Sequence, residues 1–154
     1  MSKEEFNLQN VLYKDTTPFV PPITGGKVIK VYDGDTITIA SKLPFQESPL
    51  YRFSVRILGI DCPEIRTKNT TEKECAKLAK KKIVEMAMGK IVELKNVQLE
   101  KYGRILADVF CDGVSLGDTL CECNLAVKYD GGTKHVPEDW MVYHTSLETA
   151  ITTI

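Results

Sequence analysis

At 154 residues with 43% hydrophobic content and no compositional break, the chain fits one domain with room for a sizeable core. Twenty Lys and Arg against 21 Asp and Glu leave a formal net charge of -1, which excludes a whole-molecule attraction to nucleic acid and leaves that task to local patches. No apolar run approaches membrane-spanning length and Met1–Phe6 lacks the basic-then-apolar pattern of a secretory signal, so the expectation is an intracellular protein, in cytosol or nucleus, with no membrane partner.

Cys62, Cys75, Cys111, Cys121 and Cys123 are odd in number and irregularly spaced, which suits free thiols in a reducing compartment. Zinc is not expected. Cys121 and Cys123 lie two apart in a helical stretch and face nearly opposite ways, and His135 and His144 lack a second ligand at a useful spacing. Asn69–Thr70–Thr71 fits the glycosylation sequon but reads as a polar loop in a chain without a signal.

In chain order, residues 1–24 read as an extension with Phe6, Leu8, Val11 and Leu12 as candidate docking groups, followed by Pro18, Pro21 and Pro22, that either packs along the domain or stays partly mobile. The domain proper, 25–154, begins with β texture at 28–32 and 36–39 around Asp33–Gly34, a hairpin signal in which Asp33 opens the turn and Gly34 supplies a positive φ. A polar connection through 42–49 leads to a long strand at 51–60. Thr71–Glu72–Lys73–Glu74 has the form of a capping box, and Cys75, Leu78, Ala79, Ile83, Met86 and Ala87 recur at helical spacing until Gly89. Strands at 91–94 and 104–111 follow, the second ending at Asp112–Gly113. Ser115 with Asp118 opens a short helix to about Leu125, and Pro137 starts a last one with Trp140 and Leu147. Three strands, a helix, two strands and two helices predict an α+β chain: a five-stranded OB-type Greek-key barrel with about three α-helices.

Chemistry concentrates in three blocks: Asp33–Gly34–Asp35–Thr36, Arg56–Ile57–Leu58–Gly59–Ile60–Asp61–Cys62–Pro63–Glu64, and Lys101–Tyr102–Gly103–Arg104. Asp35 shares the parity of Ile37 and Ile39, so its carboxylate points toward the barrel interior, where it needs a cation or several donors. Arg56 and Asp61 have opposite parity, and a bend at Gly59 would bring both to one site; Pro63 then turns the chain so that Glu64 projects near Asp61. Clustered carboxylates call for a cation and arginines among them for a phosphate. Asp35, Asp61, a main-chain carbonyl and waters suit calcium, Glu64 can take a proton from a water as general base, and Arg56 and Arg104 present forked donors to phosphate oxygens. The plainer readings are that Asp33 and Asp35 only shape the turn and that the arginines are ion-paired to these same carboxylates.

These three blocks resemble the signature of the staphylococcal (thermo)nuclease family over about Lys27 to Val127, including Asp112–Gly113 and Leu125–Ala126. The resemblance implies an OB-fold, calcium-dependent endonuclease that cuts DNA and RNA at the 5′-oxygen and leaves 3′-phosphate ends. It places the metal on Asp35, Asp61 and the Cys62 backbone carbonyl, the general base on Glu64, the phosphate-binding arginines on Arg56 and Arg104, and positions near the bound nucleotide on Lys101 and Tyr102. Three departures stand out. Cys62 replaces a threonine, the stretch after Glu64 is shorter, and Asp130–Gly131–Gly132 replaces a tyrosine-bearing segment, where Tyr129 is either a substitute that stacks on a base or an ordinary surface residue.

The expectation is therefore a monomeric nuclease acting on single-stranded or frayed DNA and RNA with little sequence preference, because it grips phosphate and sugar rather than base edges. Lys73, Lys77, Lys80, Lys81, Lys82 and Lys90 on the first helix either track a phosphate backbone or form a solvated face. The rival function is a non-catalytic module binding nucleic acid or protein on the same fold, to which a general base would be superfluous. In a protein-interaction domain the acidic cluster would be structural and the site closed. The tail after Gly132 carries no functional signal.

Overall fold

The computed structural model describes residues 8–152, with side chains through residue 147; Phe6, a candidate docking group, lies outside the described residues. Two short 3-10 turns at Leu8–Asn10 and Tyr13–Asp15 precede the barrel. Leu8, Val11 and Leu12, the other candidate docking groups, are exposed, and the chain first enters the core at Ile23.

The strands β1 (Gly25–Asp33), β2 (Thr36–Ser41), β3 (Tyr51–Ile57), β5 (Ile91–Leu99) and β6 (Ile105–Cys111) run in the order β3-β2-β1-β5-β6, and a parallel pairing of β3 with β6 closes the ring. This is the five-stranded OB barrel of an α+β protein, with helices α1 (Thr70–Ala87), α2 (Leu116–Glu122) and α3 (Trp140–Thr152) packed outside it. Strand alternation fills the interior with Val28, Val31, Ile37, Ile39, Val55, Ile57, Ile105, Ala107 and Val109. Among the described residues no helix is long and apolar enough to cross a membrane.

Several boundaries differ from the sequence reading, each for a local reason. The single strand expected at 51–60 breaks after Ile57 and resumes as β4 (Ile60–Asp61), because Gly59 takes a left-handed φ of 85° and β4 leaves the barrel to pair with β8 (Val127–Lys128), while the two-residue β7 (Val114–Ser115) pairs with β6. The strand expected at 91–94 runs on to Leu99 across a bulge between Lys95 and Gln98, where Asn96 has a φ of 56°. Helix α1 is capped by Asn69, whose side chain accepts from the Glu72 amide at 3.0 Å, rather than by the Thr71 box; Ala76 is buried, whereas Leu78 is exposed. Helix α2 is capped by Ser115 as expected but stops at Glu122. Helix α3 begins at Trp140, not Pro137, because the Asp139 carboxylate accepts from the amides of Met141 and Val142 at 3.0 and 3.1 Å.

Gly34 is also needed for a reason other than the one expected. Its φ is not positive; a Cβ there would lie 2.7 Å from the Ala79 Cβ and 3.1 Å from the Cys62 Sγ. The hairpin turn is pressed against α1, and only a residue without a side chain fits between them.

Candidate active site

Asp35 occupies the turn between β1 and β2. Its carbonyl accepts from the Ile57 amide at 2.8 Å, which ties the turn to β3, and Thr36 pairs across the sheet with Arg56. The Gly59 bend then returns Asp61 toward Arg56. One terminal nitrogen of Arg56, Nη2, lies 3.4 Å from Asp35 Oδ2 and 3.4 Å from Asp61 Oδ1, while Nη1 donates to the Ile57 carbonyl at 3.3 Å. The bend thus joins two side chains of opposite parity.

The cluster extends on both sides. Thr36 Oγ1 donates to Asp35 Oδ1 at 3.1 Å and accepts from Arg104 Nη1 at 3.5 Å, while Arg104 Nε is paired with Glu100 across a tight turn that Gly103 makes with a φ of 90°. Beyond Asp61, Lys134 Nζ stands 3.6 Å from Oδ2. Asp33 accepts from the Asp35 amide at 3.2 Å, and its carboxyl is pushed up to about 7, first by burial and then by its hydrogen bond and repulsion with Asp35.

A cation would fit here. Asp35 and Asp61 are hard oxygen donors gathered around one positively charged nitrogen. Among the described residues no three side chains of His, Cys, Asp or Glu are arranged to hold a metal, so any ion would take only these two carboxylates, with main-chain, water or substrate oxygens completing its shell. The Cys62 thiol is no candidate ligand: it is buried behind Gly34, and burial holds it protonated, well above its ordinary pKa.

Glu64 is exposed. Its amide donates to Glu72 Oε2 at 2.8 Å, and its carboxylate has no hydrogen-bond or ion-pair partner among the described residues. It lines a cleft of about 390 Å³ together with Asp33.

Arg56 and Arg104 open instead onto a larger cleft of about 840 Å³, lined also by Lys101, Tyr102, Tyr129 and Lys134. Lys101 lies 5.5 Å from the centre of the Tyr102 ring, and Tyr102 is 86% exposed, free to offer a face to a ligand. Tyr129 is fixed through its amide, which donates to the Gly59 carbonyl at 2.9 Å, and Lys134 lies 5.9 Å from its ring centre. The sequence reading missed Lys134 and called the tail mute after Gly132. No spacing or motif ties Lys134 to Asp61, because only the returning 129–134 segment brings them together. Glu100 was also missed, although its position four residues before Arg104 around a glycine turn was a usable signal.

Residues 54–144 match the model of the family described as Staphylococcal nuclease homologue. The chain is 30% identical over 105 residues to an uncharacterised protein of Bacillus anthracis, covering 66% of this chain and 46% of that protein. It is 30% identical over 115 residues to an SPbeta prophage-derived endonuclease of Bacillus subtilis, covering 71% of this chain and 36% of that one. A probable staphylococcal-like nuclease of Oryza sativa is 28% identical over 78 residues, 51% of this chain and 22% of its own length. The chain spans less than half the length of these relatives. The family match begins within β3, so Arg56, Asp61, Glu64 and Arg104 fall inside it and Asp35 outside.

Proposed function

Because the chain belongs to the staphylococcal nuclease homologue family, we propose that it is a calcium-dependent endonuclease acting on DNA and RNA, cutting at the 5′-oxygen to leave 3′-phosphate ends. Asp35, Asp61 and the Cys62 backbone carbonyl would hold the ion, which when bound polarises the phosphate and lowers the cost of its developing charge. Arg56 and Arg104 bind the non-bridging oxygens of the scissile phosphate, exchanging their present carboxylate partners for it. Glu64, whose carboxylate has no competing partner, takes the proton from the attacking water. Lys101, Tyr102 and Tyr129 line the cleft beside the arginines and hold the nucleotide there, with strands that are single or frayed preferred because the cleft walls offer ring faces rather than groove readers.

The observation that carries this reading is the meeting of Asp35, Arg56 and Asp61 around one nitrogen, with Arg104 linked to them through Thr36. We place the protein in a reducing compartment on the strength of its five unpaired cysteines, and read it as acting as a monomer.

One feature favours the rival reading, a non-catalytic binding module: Arg56 and Arg104 are both engaged with carboxylates. Incubation with single-stranded DNA and with RNA, each with calcium, magnesium or chelator, separates the two. Calcium-dependent cutting with 3′-phosphate products is expected; binding without cutting in every condition would establish the module instead.

A further inference from the structure

The second cleft, on the Glu64 side, has a composition that the reaction itself does not require. Lys30 and Tyr32 come from β1, Arg66 from the loop after β4, and Lys80 from α1, and all four converge on the same space of about 390 Å³. Register shifts in β1 at Val28/Lys30 and Val31/Asp33 re-aim its outer residues, so that Lys30 and Tyr32 both face solvent and Lys30 Nζ lies 5.9 Å from the Tyr32 ring centre. None of Lys30, Arg66 and Lys80 has a carboxylate partner among the described residues. Three cations without a carboxylate partner thus share one cleft with a ring that is 47% exposed, a composition suited to a phosphate chain and a base face. The opposing charges in the lining, Asp33 and Glu64, stand two residues before Asp35 and three after Asp61 in the sequence.

We propose that this cleft is a second nucleotide subsite, which holds the single strand on the far side of the scissile phosphate from Lys101, Tyr102 and Tyr129. It rests on the proposed nuclease reading and deepens it: a strand gripped on both sides of the reacting phosphate is cut internally rather than nibbled from an end. The base stacks on Tyr32, and the flanking phosphates pair with Lys30, Arg66 and Lys80.

The test is equilibrium binding of a fluorescein-labelled oligothymidylate, followed by anisotropy in chelator so that no cutting occurs. Tyr32→Ala should weaken binding about tenfold, the scale of one stacked base, while Tyr32→Phe stays within about twofold of the parent. Lys30→Ala/Lys80→Ala should flatten the dependence of log affinity on log salt by about one, more than Lys14→Ala/Lys42→Ala, which removes the same charge from exposed sites elsewhere. Equal losses in the two double variants, a Tyr32→Phe defect as large as that of Tyr32→Ala, or no binding by the parent would overturn the subsite. Normal cleavage by the parent alongside unchanged binding by Tyr32→Ala removes the subsite and leaves the nuclease reading intact. The predicted binding pattern without cleavage in calcium does the reverse.

Discussion

A single nitrogen of Arg56 faces Asp35 and Asp61 at 3.4 Å each, a long, end-on arrangement that leaves the planar fork of the guanidinium unspent on either carboxylate. Such pairs are readily exchanged for a phosphate, which takes the fork in its preferred bidentate geometry. Arg56→Lys keeps the charge and loses the fork; kcat/KM on single-stranded DNA should fall by about 10², the scale of one lost transition-state donor, with the melting temperature little changed. Full activity in that variant would remove Arg56 from its role. Lys134 is the converse case, a cation at Asp61 that the proposed ion would have to displace. Lys134 is half exposed, so its effect is small: Lys134→Ala should tighten calcium binding in a calorimetric titration by up to about fivefold, and weaker binding would contradict its placement as a competitor. Asp35, Arg56 and Asp61 were legible as residue types at strand ends; Lys134 was not, since its neighbour is set by the path of the chain rather than by any local pattern.

Turns and bends between elements decide where these side chains arrive. Gly34 and Gly59 are both required, for opposite reasons, and substitution should tell them apart. At Gly34 an added Cβ meets Ala79 at 2.7 Å, so Gly34→Ala should cost about 1–3 kcal/mol by overpacking, and Gly34→Asn more. At Gly59 nothing lies within 4 Å of an added Cβ and the cost is purely that of a φ of 85°; Gly59→Ala should lose about 1–2 kcal/mol and Gly59→Asn less. Urea denaturation midpoints read both series, and the same rank order at the two positions would refute this division. Periodicity made the elements legible, as with α2 and its Ser115 cap. Their ends were less so, because Asn69 and Asp139 compete with equally plausible capping residues nearby and a bulge carries β5 past the polar pair Lys95–Asn96.

At the scale of the molecule, the order of strands and helices was enough to anticipate the OB barrel, since a helix between the third and fourth barrel strands leaves few closed alternatives. What the order could not show is that the barrel presents two separate clefts beside the acidic cluster, with Glu64 on one and the arginines on the other. A net charge of -1 gives the whole molecule no net attraction to nucleic acid, so on the proposed function binding would depend on those clefts and on charge supplied at the cluster. An ion that binds only the folded state stabilises it by mass action, by about 2.7 kcal/mol at a hundredfold excess over its Kd. Calcium should therefore raise the melting temperature, and Asp35→Asn/Asp61→Asn should abolish the rise; an equal rise in that variant would put the ion elsewhere.

Single-turnover cleavage by Glu64→Gln, with oligonucleotide and calcium affinities measured on the same preparation, tests the proposed role of Glu64 as the general base most directly. The predicted result is a fall in cleavage rate of roughly two to four orders of magnitude with both affinities unchanged. Cleavage at the parent's rate, or loss of calcium binding together with activity, would contradict the assignment of Glu64 as the base.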